Sequence, residues 1–237
     1  MKSLLFIGIC IALVLPQKTV AQCNPFFTYD VGTSLTTTNY NPKGKEESSQ
    51  KMSIADKAVS GSKEVLKTDV TIYDKKGDEV FSNQIDLICE DGVFKMDLSR
   101  FAPPGMGQAE GISISYEGDG VTIPSDLSVG KTLPDGDFAM KINSDNPALS
   151  GMMGGTTVAI TDRKVEAKES ITTPAGTFEC FKITSNSAVS TKMMGMTRTM
   201  ETSSIEWISK DVGMVRVESY DKNGKMSSYS ELTAFSK

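Results

Sequence analysis

Apolar and polar side chains alternate along much of this 237-residue chain, and this period of two restricts the fold more than any other feature of the sequence. Phe81, Ile85, Leu87 and Cys89 share one face of such a segment. Successive side chains of a β-strand point to opposite faces of its sheet, so the pattern predicts a strand with one buried face. The same alternation recurs at 94–98, 112–116, 165–168, 178–183, 215–218 and 226–235.

A short turn pattern occurs three times between these segments, at 40–45, 73–78 and 220–225. Each copy begins with Tyr, continues with Asn or Asp, and reaches Gly after two more residues. An Asn or Asp side chain can bind the backbone two residues on, and Gly adopts the positive φ that closes a hairpin. A calcium loop is the alternative, but its EF-hand form needs a third ligand before the glycine and a distant Glu. The pattern therefore predicts three hairpin turns.

No window holds a helical period over more than three turns, and Gly or Pro separates the strand segments. We therefore expect an all-β fold: a single-domain antiparallel meander forming a strongly curved sheet or partly open barrel, because curvature buries one face of a long sheet. No break in composition divides the chain, so one β domain is expected at 23–237. Two stretches rich in Gly and Pro, 99–111 and 144–155, predict long loops, which often carry function.

The first 22 residues, 1–22, have the composition of a secretory signal peptide. Lys2 is followed by an apolar run at 4–15, which is too short to span a bilayer. We expect cleavage before Gln22 or one residue later. The alternative is a lipoprotein signal with an acylated Cys23, although Gln22 stands where that processing prefers Gly, Ala or Ser. No later stretch approaches 18 apolar residues, so the exported chain is not expected to be membrane-spanning.

The chain contains no histidine, which excludes Ser-His-Asp and Cys-His catalysis and every imidazole metal site. It has 25 Lys and Arg against 30 Asp and Glu, a formal net charge of −5, and no dense basic cluster. This balance argues against nucleic acid and against anionic membrane surfaces as partners. We expect no metal and no cofactor.

Paired carboxylates remain as a possible acid–base chemistry. Asp135 and Asp137 flank a glycine, and Glu206 precedes Trp207, the single tryptophan. A glycosidase works with two carboxylates and no histidine. With 30 acidic residues such pairs arise by chance, and Asp followed by Gly is typical of a turn. A lone Trp on a strand favours a core anchor over a platform for sugars. We therefore expect no enzymatic activity.

Methionine is frequent, with 13 residues, several of them in two clusters. Neighbours on a strand point to opposite faces, so Met193 and Met194 cannot both enter a one-sided core. Ordinary packing, an adaptable apolar groove and a Cu(I) site are the open interpretations. We expect segments 152–153 and 193–200 to lie close together and to line one apolar surface. The candidate ligand-binding residues are Met106, Met152, Met153, Met193, Met194 and Met196.

Three cysteines follow the expected signal peptide: Cys23, Cys89 and Cys180. Their spacing fits no zinc or CxxC pattern, and in an oxidising compartment at most one internal disulfide can form. Cys89 and Cys180 both lie in predicted strands with apolar neighbours. This favours a Cys89–Cys180 disulfide, with Cys23 as the alternative partner of either.

Several longer motifs carry a family resemblance: the start at 23–27, the turn at 89–94, and segments 127–136, 160–166, 172–180, 206–208 and 212–216. Together they resemble the TapB-like family of exported Bacteroidetes proteins of unknown function. The resemblance covers essentially the whole exported chain. It implies a location in the periplasm or at the cell surface, and it brings no catalytic residues.

These observations together predict an exported, non-enzymatic binding protein of the cell envelope. In the first hypothesis, an apolar or amphiphilic ligand lies on the concave face of the curved sheet, covered by the loops rich in Met and Gly. In the alternative, the chain is a protein-interaction module of an envelope complex, which binds through an exposed strand edge or through the same loops. An enzyme with two inward carboxylates is the third hypothesis.

Overall fold

The computed structural model describes residues 23–96, 112–144, 155–193 and 195–237. The expected signal peptide lies outside the described residues, as does nearly all of both predicted loops. Within the described residues every regular element is a β-strand. The twelve strands are β1 (Ser34–Tyr40), β2 (Glu46–Ser60), β3 (Lys63–Asp74), β4 (Glu79–Glu90), β5 (Val93–Met96), β6 (Ile112–Gly120), β7 (Gly136–Ser144), β8 (Gly155–Thr173), β9 (Gly176–Met193), β10 (Met196–Ser209), β11 (Gly213–Asp221) and β12 (Met226–Ser236).

All twelve described strands belong to one antiparallel sheet, in the order β5-β4-β3-β2-β1-β12-β11-β10-β9-β8-β7-β6. The first and last strands pair in its middle, whereas β5 and β6 lie at its two edges. In the part of the chain that the structure describes, the sheet is not closed into a barrel, and one isolated bridge, between Phe94 and Ile123, joins the region of one edge to the other. The predicted all-β antiparallel meander is therefore confirmed, and of its two predicted forms the described strands show the curved sheet.

The three repeated turns share one hydrogen-bond pattern. The Asp74 carboxylate accepts hydrogen bonds from the backbone amides of Lys76 (2.8 Å) and Asp78 (3.0 Å). The side chains of Asn41 and Asp221 accept the corresponding pair of amides in the other two turns. These amides also hold the pKa of Asp221 below its ordinary value. The side-chain oxygens are thus occupied by backbone donors, and the prediction of three hairpin turns is confirmed.

Buried apolar side chains form two clusters on the described part of the sheet. On β4 the buried residues are Ile85, Leu87 and Cys89, as their alternation predicts. Phe27, from the segment before β1, packs against both clusters. The first cluster contains Tyr29, Leu35, Ile54, Leu66, Val70, Ile85, Leu87, Cys89, Phe94, Cys180, Trp207, Val212, Val215 and Leu232. The second contains Phe26, Ile123, Leu127, Leu133, Val165, Ile183 and Ile208.

Trp207 is a core residue, as predicted. Its side chain is 5% exposed, and its Nε1 donates a hydrogen bond of 2.6 Å to Glu169. The Lys182 ammonium lies 5.5 Å from the centroid of the indole ring. A carboxylate and an ammonium therefore hold both the polar edge and one face of the ring, leaving little of it for a sugar.

The predicted Cys89–Cys180 disulfide is wrong. The structure instead joins Cys23 to Cys89, the alternative pairing, and leaves Cys180 buried as a free thiol. Cys89 lies on β4 and Cys180 on β9, which are separated by seven steps across the sheet. Cys23 reaches Cys89 because the chain before β1 folds back over β4. Burial raises the pKa of the Cys180 thiol to about 12, so it is not a reactive thiolate.

Candidate binding cavity

Residues 23–30, which we call the N-terminal segment, lie against the inner face of the curved sheet. Asn24 fixes its first part: the side-chain nitrogen donates to the carbonyl oxygens of Gly92 (2.9 Å) and Ile123 (2.8 Å). Its side-chain oxygen accepts from the amide of Phe26 at 3.0 Å. Gly92 lies in the turn before β5, and Ile123 lies just after β6. One buried side chain therefore ties together the two edges of the sheet.

The second part of the N-terminal segment is bound to the turn between β10 and β11. Thr28 donates to the Asp211 carboxylate at 2.7 Å, and the Tyr29 hydroxyl donates to the carbonyl of Val212 at 2.8 Å. Gly213 follows with a φ of +84°, and a Cβ at this position would collide with the Tyr29 hydroxyl oxygen and with the Phe27 ring. The turn therefore accepts the segment only because position 213 has no side chain.

The N-terminal segment does not fill the inner face, and it leaves a cavity of about 360 Å³. Strands near both edges of the sheet contribute to its wall, which means that the sheet curves around it. Apart from one carboxyl, one hydroxyl and a phenol, the side chains of this wall are apolar. The lining residues are Phe27, Tyr29, Leu35, Thr37, Met52, Leu87, Phe94, Gly120, Val121, Ile123, Phe138, Glu206 and Met214.

Aromatic rings build one side of this cavity. The Phe27 ring stacks on Phe94 with centroids 3.8 Å apart and an angle of 13° between the planes. Tyr29 meets Phe27 edge-on, with centroids 6.2 Å apart. Rigid aromatic rings of this kind offer a large apolar area with few torsions to immobilise on binding.

Glu206 supplies the carboxyl of the cavity wall and is the one acidic residue among its described lining residues. No described residue donates a hydrogen bond to this carboxyl. Burial raises the pKa of Glu206 above its ordinary value, and the positive charge of Arg163 opposes that change. A carboxyl that is surrounded by apolar side chains and has no donor has its hydrogen-bonding capacity available for a ligand.

Arg163, on β8, lies behind this wall and is 1% exposed. Its Nη1 donates to the carbonyl oxygens of Thr122 (3.0 Å) and Pro134 (2.8 Å), which holds two non-strand stretches against β8. Its Nη2 is buried and has no partner among the described residues. Burial lowers the pKa of Arg163, while the negative charges of Glu206 and Asp135 raise it. The guanidinium thus acts on Glu206 through space.

A second depression of about 590 Å³ lies along β8, β9 and β10 and the turn that begins at Asp221. Thr161, Asp162, Asn186 and Glu201 are typical of its polar lining. Asn186 donates to Asp162 at 3.0 Å, so part of its polar capacity is satisfied internally. Among the described residues the apolar cavity is therefore the stronger candidate for a ligand site.

The profile of the DUF3108-like family matches residues 30–232, which is more than half of the chain. The chain belongs to the DUF3108-like family. The match includes Glu206 and Arg163 and begins within the N-terminal segment. The match identifies the family and carries no information about a ligand. No functionally curated protein matches the sequence.

Two solved structures share the fold of this DUF3108-like chain. One is a predicted lipoprotein of Parabacteroides distasonis, with a TM-score of 0.68 and 25% sequence identity over 90% of this chain and 99% of that one. The other is a predicted exported protein of Bacteroides fragilis with a YmcC-like fold, with a TM-score of 0.68 and 21% identity over 91% of this chain and all of that one. Both support the curved antiparallel sheet. Within the described residues, no helix is long and apolar enough to cross a membrane.

The structure places the predicted methionine site only in part. Met106, Met152, Met153 and Met194 lie outside the described residues, so the expected contact between segments 152–153 and 193–200 stays a prediction. The backbone of Met193 pairs with that of Met196 at the end of the β9–β10 hairpin. The Met196 side chain is 72% exposed.

Sequence reasoning missed the methionines and aromatic residues that do line the cavity. Met52 and Met214 stand alone in the sequence, and Phe27 and Tyr29 precede the first strand. The sequence indicates Glu206 only as a possible acid–base carboxylate, and the large number of acidic residues argues against that role. The signal that could have singled it out is its position among Ile205, Trp207 and Ile208, where a charged residue is surrounded by apolar neighbours.

Proposed function

We propose that this DUF3108-like chain is a non-enzymatic binding protein of the cell envelope that holds an apolar or amphiphilic ligand in the cavity beneath the N-terminal segment. The observation that carries the proposal is the cavity of about 360 Å³ with an apolar, aromatic wall and a single carboxyl. Ligand sites in proteins combine such walls with a few polar groups that orient the ligand. The expected concave site is therefore retained, with the N-terminal segment rather than the methionine loops as its described cover.

The arrangement of carboxylates favours binding over hydrolysis. Glycosidases place two carboxyl groups about 5–10 Å apart across the scissile bond. Asp135 and Asp137 are both exposed, and neither lines the cavity with Glu206. Asp135 acts on the buried Arg163 instead.

We further propose export to the periplasm or cell surface without a lipid on Cys23. Export is supported by the related structures, which come from proteins described as a predicted lipoprotein and a predicted exported protein, and by the TapB-like resemblance. A lipoprotein carries its diacylglyceryl group on the sulfur of the first mature cysteine. The Cys23 sulfur is bonded to Cys89, so the same atom cannot carry the thioether. N-terminal sequencing and the intact mass of the exported protein test this point; a diacylated Cys23 would contradict it.

The ligand proposal is tested by filling the cavity. In Met214→Trp a large ring enters the cavity wall, whereas Met200→Trp makes the same change at a side chain that is 58% exposed. Native mass spectrometry of protein purified from its own envelope, and titration with a neutral apolar dye, measure bound ligand. We expect Met214→Trp to weaken dye binding at least tenfold and Met200→Trp to leave it within twofold. Equal binding by both variants and the wild type would refute the proposal.

The two sheet edges support the alternative, a protein-interaction module. Among the described residues β5 and β6 each pair on one side only, and the edge regions meet at one bridge. Unpaired strand edges are templates for a strand of another chain. Cross-linking in intact cells tests this alternative: a single envelope partner attached through β5 or β6, together with no effect of Met214→Trp on the dye, would favour it.

A further inference from the structure

We infer that the cavity selects amphiphiles whose polar head donates hydrogen bonds, above all a primary amine, and that Glu206 receives this head. The inference rests on the proposed function, because it names the ligand class of the same cavity. In this inference, Glu206 selects the head group and the aromatic wall binds the tail.

The first argument is the balance of donors and acceptors. An ionised carboxylate is a pure acceptor with room for about four hydrogen bonds, and no described residue donates to Glu206. The Tyr29 hydroxyl, which also lines the cavity, already donates to the carbonyl of Val212. A ligand that brings donors therefore satisfies a carboxyl that the described residues leave without a donor. A carboxylate head brings only acceptors and leaves Glu206 unsatisfied.

The second argument is the charge around the site. Arg163 is the buried cation that acts on Glu206, but its Nη2 is inaccessible and its Nη1 is bound to two carbonyls, so neither of these two nitrogens is available to a ligand head. Asp135 offsets part of the same positive charge from the exposed side. With both acids ionised, two negative charges stand against one positive charge. An ammonium head is stabilised by this balance, and an anionic head is repelled.

The third argument is size. At the roughly 30 Å³ that one water molecule occupies in the liquid, 360 Å³ corresponds to about twelve non-hydrogen atoms. An alkyl chain of about ten carbons with a small head matches this volume. The Phe27 and Phe94 rings lie in the wall and offer the tail an apolar surface. The volume of a full phospholipid with two long chains exceeds that of the cavity several-fold.

At pH values below the pKa of Glu206, binding of an amine should also release a proton. The charged and titratable groups around the carboxyl are Arg163, which acts on it directly, Asp135, which acts on Arg163, and Tyr29, which lines the same cavity. Burial raises the pKa of Glu206, so in the free protein the carboxyl holds its proton to a higher pH than an exposed glutamate does. When an alkylammonium binds, that proton passes to solvent and the carboxylate pairs with the ammonium. Amine affinity should therefore fall as pH falls through this pKa, whereas alcohol affinity should change little.

The experiment titrates the oxidised, exported protein with decylamine, 1-decanol and decanoate, each below its micelle concentration, by isothermal calorimetry at pH 8. Decylamine is expected to bind at least tenfold more tightly than decanoate, with 1-decanol between them. Glu206→Gln should reduce the preference for the amine at least tenfold while changing 1-decanol less than threefold. Glu201→Gln, at an exposed position of the same strand, should preserve the wild-type order.

The outcomes separate the inference from the proposed function. Decanoate binding as tightly as decylamine, or an unchanged preference in Glu206→Gln, would overturn the head-group inference while leaving the cavity a ligand site. Failure of all three compounds to bind, together with no effect of Met214→Trp on the dye, would overturn the proposed function itself. The order of the three compounds on the wild type tests the inference even if the Glu206 variant does not fold.

Discussion

The N-terminal segment and the tip of the β9–β10 hairpin combine backbone order and burial in opposite ways. The segment has no strand, yet Phe26 and Tyr29 are 2% and 3% exposed. The hairpin tip, residues 187–193 and 195–200, pairs in unbroken register, yet Met196 and Met200 are 72% and 58% exposed. Regular pairing is therefore no measure of what stabilises this fold. Buried side chains do most to hold the first region, whereas backbone pairing and hydroxyl hydrogen bonds, such as that between Ser190 and Thr199 (2.8 Å), hold the second.

Removal of the disulfide is expected to loosen the N-terminal segment more than any other change. The double change Cys23→Ser with Cys89→Ser opens a cross-link between residues 66 apart in sequence. We expect the free energy of unfolding to fall by about 4 kcal/mol, because the unfolded chain regains the entropy of a loop of that length. Urea unfolding measures the loss, and reduced wild type should match the variant.

Thiol counting provides the control for that prediction. The unfolded, unreduced, exported protein should show one free thiol, that of Cys180. Three free thiols, or a loss below 1 kcal/mol on reduction, would show that the segment is held without the bridge.

Asn24→Ala is the second way to loosen the segment. It removes three hydrogen bonds at a side chain that is 2% exposed and leaves the carbonyl oxygens of Gly92 and Ile123 without their donor. Each unsatisfied buried group costs about 1–3 kcal/mol, and water recovers part of this, so we expect a loss of about 2–3 kcal/mol in urea unfolding.

Asn39→Ala is the matched control for Asn24. The Asn39 side chain lies on strand β1 and donates one hydrogen bond, to the Ser48 hydroxyl. Its loss should cost about 1 kcal/mol or less. If both variants lose the same stability, the two edges of the sheet are not tied through Asn24.

Gly213→Ala tests the contact between the segment and the β10–β11 turn. The added methyl group meets a positive φ and also collides with the Tyr29 hydroxyl and the Phe27 ring. Gly224→Ala meets a similar φ of +75° with open space around it. We expect a loss of about 1 kcal/mol at 224 and about 2 kcal/mol or more at 213. Equal losses of stability in thermal or urea unfolding would mean that the N-terminal segment moves away from the added methyl group at no cost.

The strands and turns of this fold could be predicted from the sequence because their signals are local. Alternation along β4 and the Asn or Asp before each turn glycine act within a few residues. The pairing of Cys89 is not local in this sense. It depends on which segment crosses β4, and a stretch with Pro25, Phe26 and Phe27 carries no period that would indicate a path across the sheet.

The cavity could not be predicted from the sequence either, because its wall also depends on contacts that are not local. Glu206 lies in a strand with apolar residues on both sides, so alternation alone does not say which face is inner. The register shift between Trp207 and Ile208 changes the phase of the pattern at that point. The wall opposite Glu206 comes from Met52, Leu87 and Phe94, which are more than 100 residues away in the chain. Only the curvature of the sheet brings them together, because β4 and β10 lie six steps apart in the strand order.

The smallest expected effect is at the hairpin tip, and it bears on the methionine hypothesis. Met196→Thr with Met200→Thr replaces two exposed side chains by a residue that suits strands, so the free energy of unfolding should change by less than about 1 kcal/mol and 1-decanol binding by less than twofold. Surface positions give such values because folding removes little of their area from water. A loss above 2 kcal/mol in urea unfolding would mean that residues 145–154 cover these methionines, as the expected contact with Met152 and Met153 requires. A loss of 1-decanol binding with unchanged stability would move the ligand from the cavity to the hairpin tip.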